Sequence, residues 1–380
     1  MKRTTAAAGA AVALAGLITA AGPAAAAPPL CKPDVLRLQA LPDGTSGSPF
    51  TDRVNALGRG DLAVGTSKQR PVYWQGTRVY RVPLPAGYTT GEVRSVNAKG
   101  LMAGTLKQAD GGKRVLFTYQ KGAASVRLIS APADSPREGK AFVNDAGRVA
   151  GLDGEVPREW VDGKPVRTLE LPPGTDPQTK ITEINGINGR GDVLGSALVH
   201  YEVEEWPGFV YRSYPVVWPA GGGPAQGLPA VSENDYTRTT HPQGIDERGT
   251  VVGYESEGWR DVRRDVGHLW KAPYTAAAAA APDLAGQTEL QTSAISPNGK
   301  AVVGMAYSWS DFDYPKPTQA AYWTGSGPVK ALPTPTAGTH GEATAVSDDD
   351  RVAGSEASWT VPHALLVWTC ASRQATVPQG

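Results

Sequence analysis

The stretch Ile-Asn-Gly-Arg-Gly-Asp-Val-Leu-Gly at residues 187–195 recurs along the chain in altered copies. Close copies end at Gly104, Gly151 and Gly253, and looser ones at Gly65, Gly304 and Gly354. The closing glycines lie about 40 to 60 residues apart, too far for β-helix coils, and no helical period fills the gaps. A spacing near 45 residues, filled with strands, points to propeller blades.

Each copy has a physical pattern. Ile187 ends one strand, Gly191 turns the chain, and an apolar return strand follows. A tight antiparallel turn needs a residue at positive φ, which glycine reaches without steric penalty. In the last copy Asp350 holds that place, and aspartate tolerates it better than most residues. The closing glycine has no side chain, so a neighbouring strand or blade can approach closely. A large aromatic follows each copy, at Trp74, Tyr119, Trp160, Trp218, Trp270, Trp323 and Trp368. One such ring buries roughly 200 Å² between adjacent sheets. A further segment then ends in Leu-Pro at Leu84, Leu171, Leu228 and Leu332, with weaker copies at Leu128 and Leu284. Proline there suits an outer strand that needs no ladder donor. The unit is therefore four strands, A to D, and the fold is all-β: a seven-bladed β-propeller. The 45 glycines and 32 prolines suit short strands joined by turns.

The last unit lacks its D strand, because only a short tail without Leu-Pro follows Trp368. The missing piece stands at the front, where Val35 to Gly44 resembles the other D segments. The N-terminal strand is expected to complete the final blade, beside the strand ending at Trp368. Cys31 and Cys370 flank those two strands, so a disulfide between them would replace the severed C–D turn.

Lys2 and Arg3, an apolar stretch and a run of small residues ending near Ala27 have the layout of a secretory leader. Residues 1–27 are read as that leader and residues 28–380 as a single propeller domain. The apolar run falls short of the roughly 20 residues that span a bilayer, and no later segment could cross one. An extracellular setting also suits a disulfide. The whole chain carries 37 basic and 37 acidic residues, and a near-neutral surface does not advertise nucleic acid. A monomer is expected.

The alternation of (I/V)N-x-x-G-x-V-x-G with H-A-x-x-W resembles the extracellular HAF-type repeat family of secreted bacterial proteins. The second element is closest at His268 to Trp270 and at His363 to Trp368. The resemblance covers nearly the whole mature chain. It implies export and a β-propeller, and it brings no catalytic constellation.

Function is sought where the units differ. The B–C and D–A connections share one face. From B glycine to C aromatic the first and third units span about nine residues, and units four to seven about 14 to 23. Each of these four insertions carries a tryptophan outside the blade pattern: Trp206, Trp259, Trp309 and Trp359. Tyr211, Arg263 and Tyr314 accompany them. Flat aromatic faces with polar rims suit a glycan or an extracellular protein. Packing of the hairpins on one another as a lid is the alternative. No nucleophile elbow, zinc helix, phosphate loop or EF-hand is present, and no cofactor or metal site is expected. Asp261, Asp265, Asp311 and Asp313 in the insertions leave a carboxylate pair for glycoside chemistry open. His241 and His340 lie in D–A connections as candidate bases, and the acidic run at 348–350 reads as a solvated turn. The alanine run before Pro282 reads as a flexible C–D connection. The expected function is a secreted non-enzymatic scaffold that binds a glycan, a cell-wall component or an extracellular protein, with a carbohydrate-active hydrolase or lyase and a purely structural surface protein as alternatives.

Overall fold

The glycine and aromatic repeats correspond one for one to seven four-stranded antiparallel sheets. The computed structural model describes residues 31–42, 52–109, 112–134, 139–202, 209–229, 239–257, 264–308, 318–358 and 363–378, with the side chains of residues 200–202, 209–211 and 257 outside that description. Residues 32–380 form one compact unit. Blade one comprises β2 (Arg53–Leu57), β3 (Leu62–Ser67), β4 (Arg70–Gln75) and β5 (Arg78–Arg81). Blade two comprises β6 (Tyr88–Val96) to β9 (Arg127–Leu128), and blade three β10 (Ala141–Val143) to β13 (Lys164–Thr168). Blade four comprises β14 (Lys180–Ile187), β15 (Val193–Glu202), β16 (Phe209–Trp218) and β17 (Gln226–Gly227). Blade five runs from β18 (Thr239–Ile245) through β19 (Val251–Glu257) and β20 (Arg264–Trp270) to β21 (Ala279–Ala280). Blade six runs from β22 (Glu289–Ile295) through β23 (Val302–Tyr307) to β25 (Lys330–Ala331). Consecutive blades pack on one another, and β2 of the first packs on β26 (His340–Val346) and β27 (Arg351–Ala357) of the last. The protein is a seven-bladed β-propeller.

Its seam closes as the N-terminal segment suggests. The seventh sheet has the order β1-β28-β27-β26, where β1 is Asp34–Arg37 and β28 is Ala364–Thr369. Val35 lies opposite Trp368, and Arg37 opposite Leu366. Cys31 and Cys370 are disulfide-bonded. Replacing Cys370 by Ser is expected to destabilise the protein by about 2–4 kcal/mol, read as a lower melting temperature without reductant. An unchanged melting temperature would remove the staple from this account.

The tail beyond Cys370 adds a second latch that the sequence did not suggest. It forms the short α1 (Ala371–Gln374), and Thr376 then exchanges backbone hydrogen bonds with Ala331 on the outer strand of blade six, at 2.8 and 3.0 Å. Ala371 and Ala375 are buried in the core between blades six and seven. Both chain ends thus hold the seam, one on each of two adjacent blades.

The motif asparagines have a double role. Asn97 Oδ1 accepts from the backbone N–H groups of Lys99 and Leu101 within its own turn, at 3.0 and 2.9 Å. Its Nδ2 donates to Asn144 O of the next blade at 3.0 Å. Asn144 donates likewise to Asn188 O, and Asn188 to Asp246 O. An asparagine at this place therefore satisfies turn donors with its oxygen and reaches the next blade with its amide. In the first blade Gly58 holds the corresponding backbone position, so Asn55 belongs elsewhere.

The aromatics tie blades together through the core. Six tryptophans and Tyr119 are buried at the C strands. The indole N–H of Trp218 donates to Glu170 O at 2.7 Å, that of Trp270 to Pro229 O at 3.1 Å, and that of Trp368 to Pro333 O at 2.7 Å. Each acceptor lies two residues beyond the outer strand of the preceding blade. Trp74 makes the same bond, at 2.7 Å, to Gln39 O just after β1, across the seam. The buried apolar residue ending the third blade's D strand is Leu169 rather than Leu171, and in the first blade it is Val82 rather than Leu84. In blade five the alanine run is not a free connection: Ala279–Ala280 forms the D strand and Ala281 is buried.

The closing glycines sit inside the B strands, not at their ends. Each faces an A strand, and in six blades the A strand slips register at that point, between Val54 and Ala56 in the first and between Thr292 and Ala294 in the sixth. Such a bulge pushes the A-strand carbonyl toward the partner strand. A Cβ on Gly253 would lie 2.5 Å from His241 O, and one on Gly195 would lie 2.8 Å from Glu183 O. Glycine is required there by a neighbouring strand of the same blade.

Candidate functional site

The bulges decide what the ring presents at its centre. The skipped residues, Asn55, Arg94, Asn185, Gln243, Ser293 and Thr344, line a central cavity of about 260 Å³. Blade three has no bulge and contributes Phe142. The cavity reaches from Arg53 at the start of β2 to Asp145, Gly189 and Glu247 in the A–B turns.

A ring of equivalent side chains surrounds one level of the A strands, where each backbone carbonyl faces a B-strand glycine. In blades one to four it reads Arg53, Glu92, Lys140 and Glu183. Blades five to seven add His241, Gln291 and Glu342. Opposite charges pair along it. Lys140 Nζ donates to Glu183 Oε2 at 2.7 Å, Arg53 lies 3.3 Å from Glu342, and Arg94 lies 3.8 Å from Glu92. Burial pulls the Lys140 ammonium below its ordinary range, and nearby Arg94 adds to that against the pull of Glu183. Burial alone would raise the Glu183 carboxyl, but Lys140, Asn185 and Arg94 together outweigh it and hold the carboxyl below the usual carboxylate range. A carboxylate tied to a cation is a poor proton donor at neutral pH.

Trp206, Trp259, Arg263, Trp309, Tyr314 and Trp359 lie outside the described residues. Tyr211 pairs through its backbone with His200 in the β15–β16 hairpin, and its side chain lies outside the description. That hairpin continues the blade itself: β15 and β16 have ten residues each, against six each for β11 (Arg148–Asp153) and β12 (Val156–Val161). Asp261, Asp311 and Asp313 are likewise outside the described residues.

The other sequence candidates are engaged in the fold. Asp265 is fully buried on β20 and accepts from Ser256 Oγ at 2.6 Å, from Gln291 Nε2 at 2.5 Å and from the Tyr307 hydroxyl. His241 stacks on Tyr254 with ring centroids 4.7 Å apart. His340 Nδ1 accepts from the Thr318 N–H at 3.1 Å. Asp348 accepts from the Asn298 N–H at 2.8 Å, and Asp350 from Ser372, so this acidic run joins blades and holds the tail. Among the described residues no group of three or more metal-ligating side chains forms, and no helix is long and apolar enough to cross a membrane.

The cavity residues went unnoticed in the sequence, although a signal exists. Asn55, Arg94, Asn185, Gln243 and Thr344 each stand ten residues before a closing glycine, and Ser293 stands eleven before Gly304. Polar residues recurring at a fixed offset from the closing glycine mark a wall that faces polar surroundings.

No family model matches the chain, and no curated protein matches it. Solved structures do. A prolyl endopeptidase structure has 12% identity over 87% of this chain and 51% of that chain, with a TM-score of 0.54. The chain thus spans about half the length of that protein. An oligogalacturonate lyase from Vibrio parahaemolyticus has 11% identity over 92% of this chain and 99% of that chain, at a TM-score of 0.48. A polysaccharide lyase has 8% identity over 85% and 90% of the two chains, also at 0.48. Identities this low bear on fold alone, and the likeness to the first supports the propeller already traced through the sheets of this chain.

Proposed function

We propose that the protein is a secreted, non-catalytic propeller that binds a glycan, a cell-wall component or an extracellular protein through the B–C hairpins of blades four to seven. A glycan is the preferred ligand. The observation that carries this reading is the ten-residue length of β15 and β16, which extends a blade on the face where the inserted tryptophans fall in sequence. Trp206, Trp259, Trp309 and Trp359 would supply flat apolar faces, with Tyr211, Arg263 and Tyr314 at the rim. The Cys31–Cys370 bond fits an oxidising compartment, in line with a leader at residues 1–27 and with the HAF-type repeat resemblance. Lys140 holds Glu183 ionised, which counts against that carboxyl as a general acid.

A glycan array tests this reading, followed by product analysis on every hit. Binding is expected, and it should fall at least about ten-fold when the four inserted tryptophans are changed to alanine together. Undiminished binding would discard the aromatic face. Turnover of a bound glycan, abolished by one Asp or His substitution, would make the protein an enzyme instead.

A further inference from the structure

The wall of the central cavity is uneven around the ring. In blades seven, one and two Thr344, Asn55 and Ser95 are tied to the next blade, and Arg94 reaches back to Asn55 Oδ1 at 3.3 Å. Thr344 Oγ1 donates to Val54 O at 2.6 Å, Asn55 Nδ2 to Val93 O at 2.8 Å, and Ser95 Oγ to Ala141 O at 3.4 Å. In blade four Asn185 is partly engaged, donating to Glu183 at 3.2 Å and accepting from Ser196 at 2.9 Å. Gln243 and Ser293 in blades five and six differ. Both line the cavity, both are half-buried, and neither makes a side-chain hydrogen bond to the described residues. Phe142 of blade three adds the edge or face of a half-buried aromatic ring to the same cavity.

Charge excludes several ligand classes. Arg53 and Arg94 line the cavity and each lies within 4 Å of a glutamate, so an anion would have to displace a carboxylate and a cation would face two guanidinium groups. At the other end Asp145 accepts from the Ala98 N–H and Glu247 from the Gly189 N–H, both at 2.7 Å. An apolar ligand would leave the amide of Gln243 and the hydroxyl of Ser293 buried without partners, at about 1–3 kcal/mol each. The remaining class carries hydroxyl groups that both donate and accept, with one apolar C–H face. Pockets for drug-sized ligands measure roughly 300–1,000 Å³. A volume of about 260 Å³ therefore suits one small ring.

We infer that the central cavity binds a single uncharged sugar ring or a polyol of that size, with its hydroxyl groups on Gln243 and Ser293 and its C–H face on Phe142. This site is distinct from the hairpin face and stands without it. Ligand-observed NMR and calorimetry with glucose, galactose, mannose and N-acetylglucosamine provide the test, with glucuronate and glucosamine as charged analogues. At least one neutral sugar should bind, and the charged analogues should bind about ten-fold more weakly or worse. Gln243→Leu combined with Ser293→Val should lose about ten-fold in affinity while keeping the parental melting temperature. Phe142→Leu serves as a second variant if that pair unfolds, with the same expected loss. The protein with all four inserted tryptophans changed to alanine should keep its monosaccharide affinity, which separates this site from the hairpin face. Failure of all four neutral sugars to bind would overturn the inference. Equal binding of the charged analogues, binding that survives in the folded cavity variants, or binding lost with the tryptophans would do the same.

Discussion

Gly304→Ala is expected to destabilise the protein by at least about 3 kcal/mol, measured by denaturant unfolding. An added Cβ would fall well inside van der Waals contact of Gln291 O and 2.9 Å from Thr292 Cα. Both obstacles are backbone, so no side chain can rotate away. The A strand bulges at Ser293 directly beside this contact, and relieving the clash means undoing the bulge. Relief would also pull Ser293 out of register with the other cavity-lining residues. Gly65 and Gly354 face their A strands in the same way, against Arg53 O and Glu342 O. Gly221→Ala is the control: nothing lies within 4 Å of its added Cβ, and its effect should stay within about 0.5 kcal/mol. Equal losses at the two positions would refute the role assigned to the repeat glycine.

Trp368→Ala should be about as damaging, at about 3–5 kcal/mol. The ring is fully buried in the core between blades six and seven, with Val303, Leu332 and Leu366 in the same cluster. It also sits opposite Val35 of the closing strand. Trp368→Phe separates the two parts of this role. It keeps most of the apolar area and loses the indole hydrogen bond to Pro333 O, at about 0.5–1.5 kcal/mol. The order wild type, Phe, Ala in unfolding free energy is therefore expected. A phenylalanine variant as unstable as the alanine variant would assign the whole effect to the hydrogen bond.

Much of this architecture could be read in the sequence because its signals are local. A turn glycine such as Gly191, with φ of 95°, occupies a backbone region that glycine reaches freely, and Asp350 takes that region at φ 62° in the last copy. The aromatics recur because each must fill the gap between two sheets, whatever the rest of the blade does. The closing strand and Cys31 were legible because a segment missing at one end reappeared at the other. Other features depended on pairing and not on residue type. A bulge at Asn185 or Ser293 is a register shift between two strands, and nothing in either strand alone announces it. Ala279–Ala280 reads as a connection until Leu269 and His268 supply its ladder partners. The bridge from Thr376 to Ala331 joins distant segments with no repeat to advertise it.

The candidate sites divide along the same line. The inserted tryptophans stand out because they break a regular pattern, as Trp259 does between Gly253 and Trp270. The cavity residues conform to the pattern and were passed over for that reason. Asp265 illustrates the converse. Its place in an insertion left it open as half of a carboxylate pair, yet β20 places it fully buried among Ser256, Gln291 and Tyr307. Hydrogen bonds from these donors satisfy the carboxylate inside the interface of blades five and six.

Native-state hydrogen exchange on the seam tests ring closure most directly. The backbone N–H of Leu38 donates to Leu365 O at 3.0 Å, and residues 34–37 pair along β28. Amides of residues 34–38 that donate to β28 should be protected as strongly as those on the outer strand of blade one, Arg78–Arg81. Exchange of residues 34–38 at the rate of an unfolded chain, with Arg78–Arg81 still protected, would contradict a circle of seven sheets fastened by the N-terminal strand.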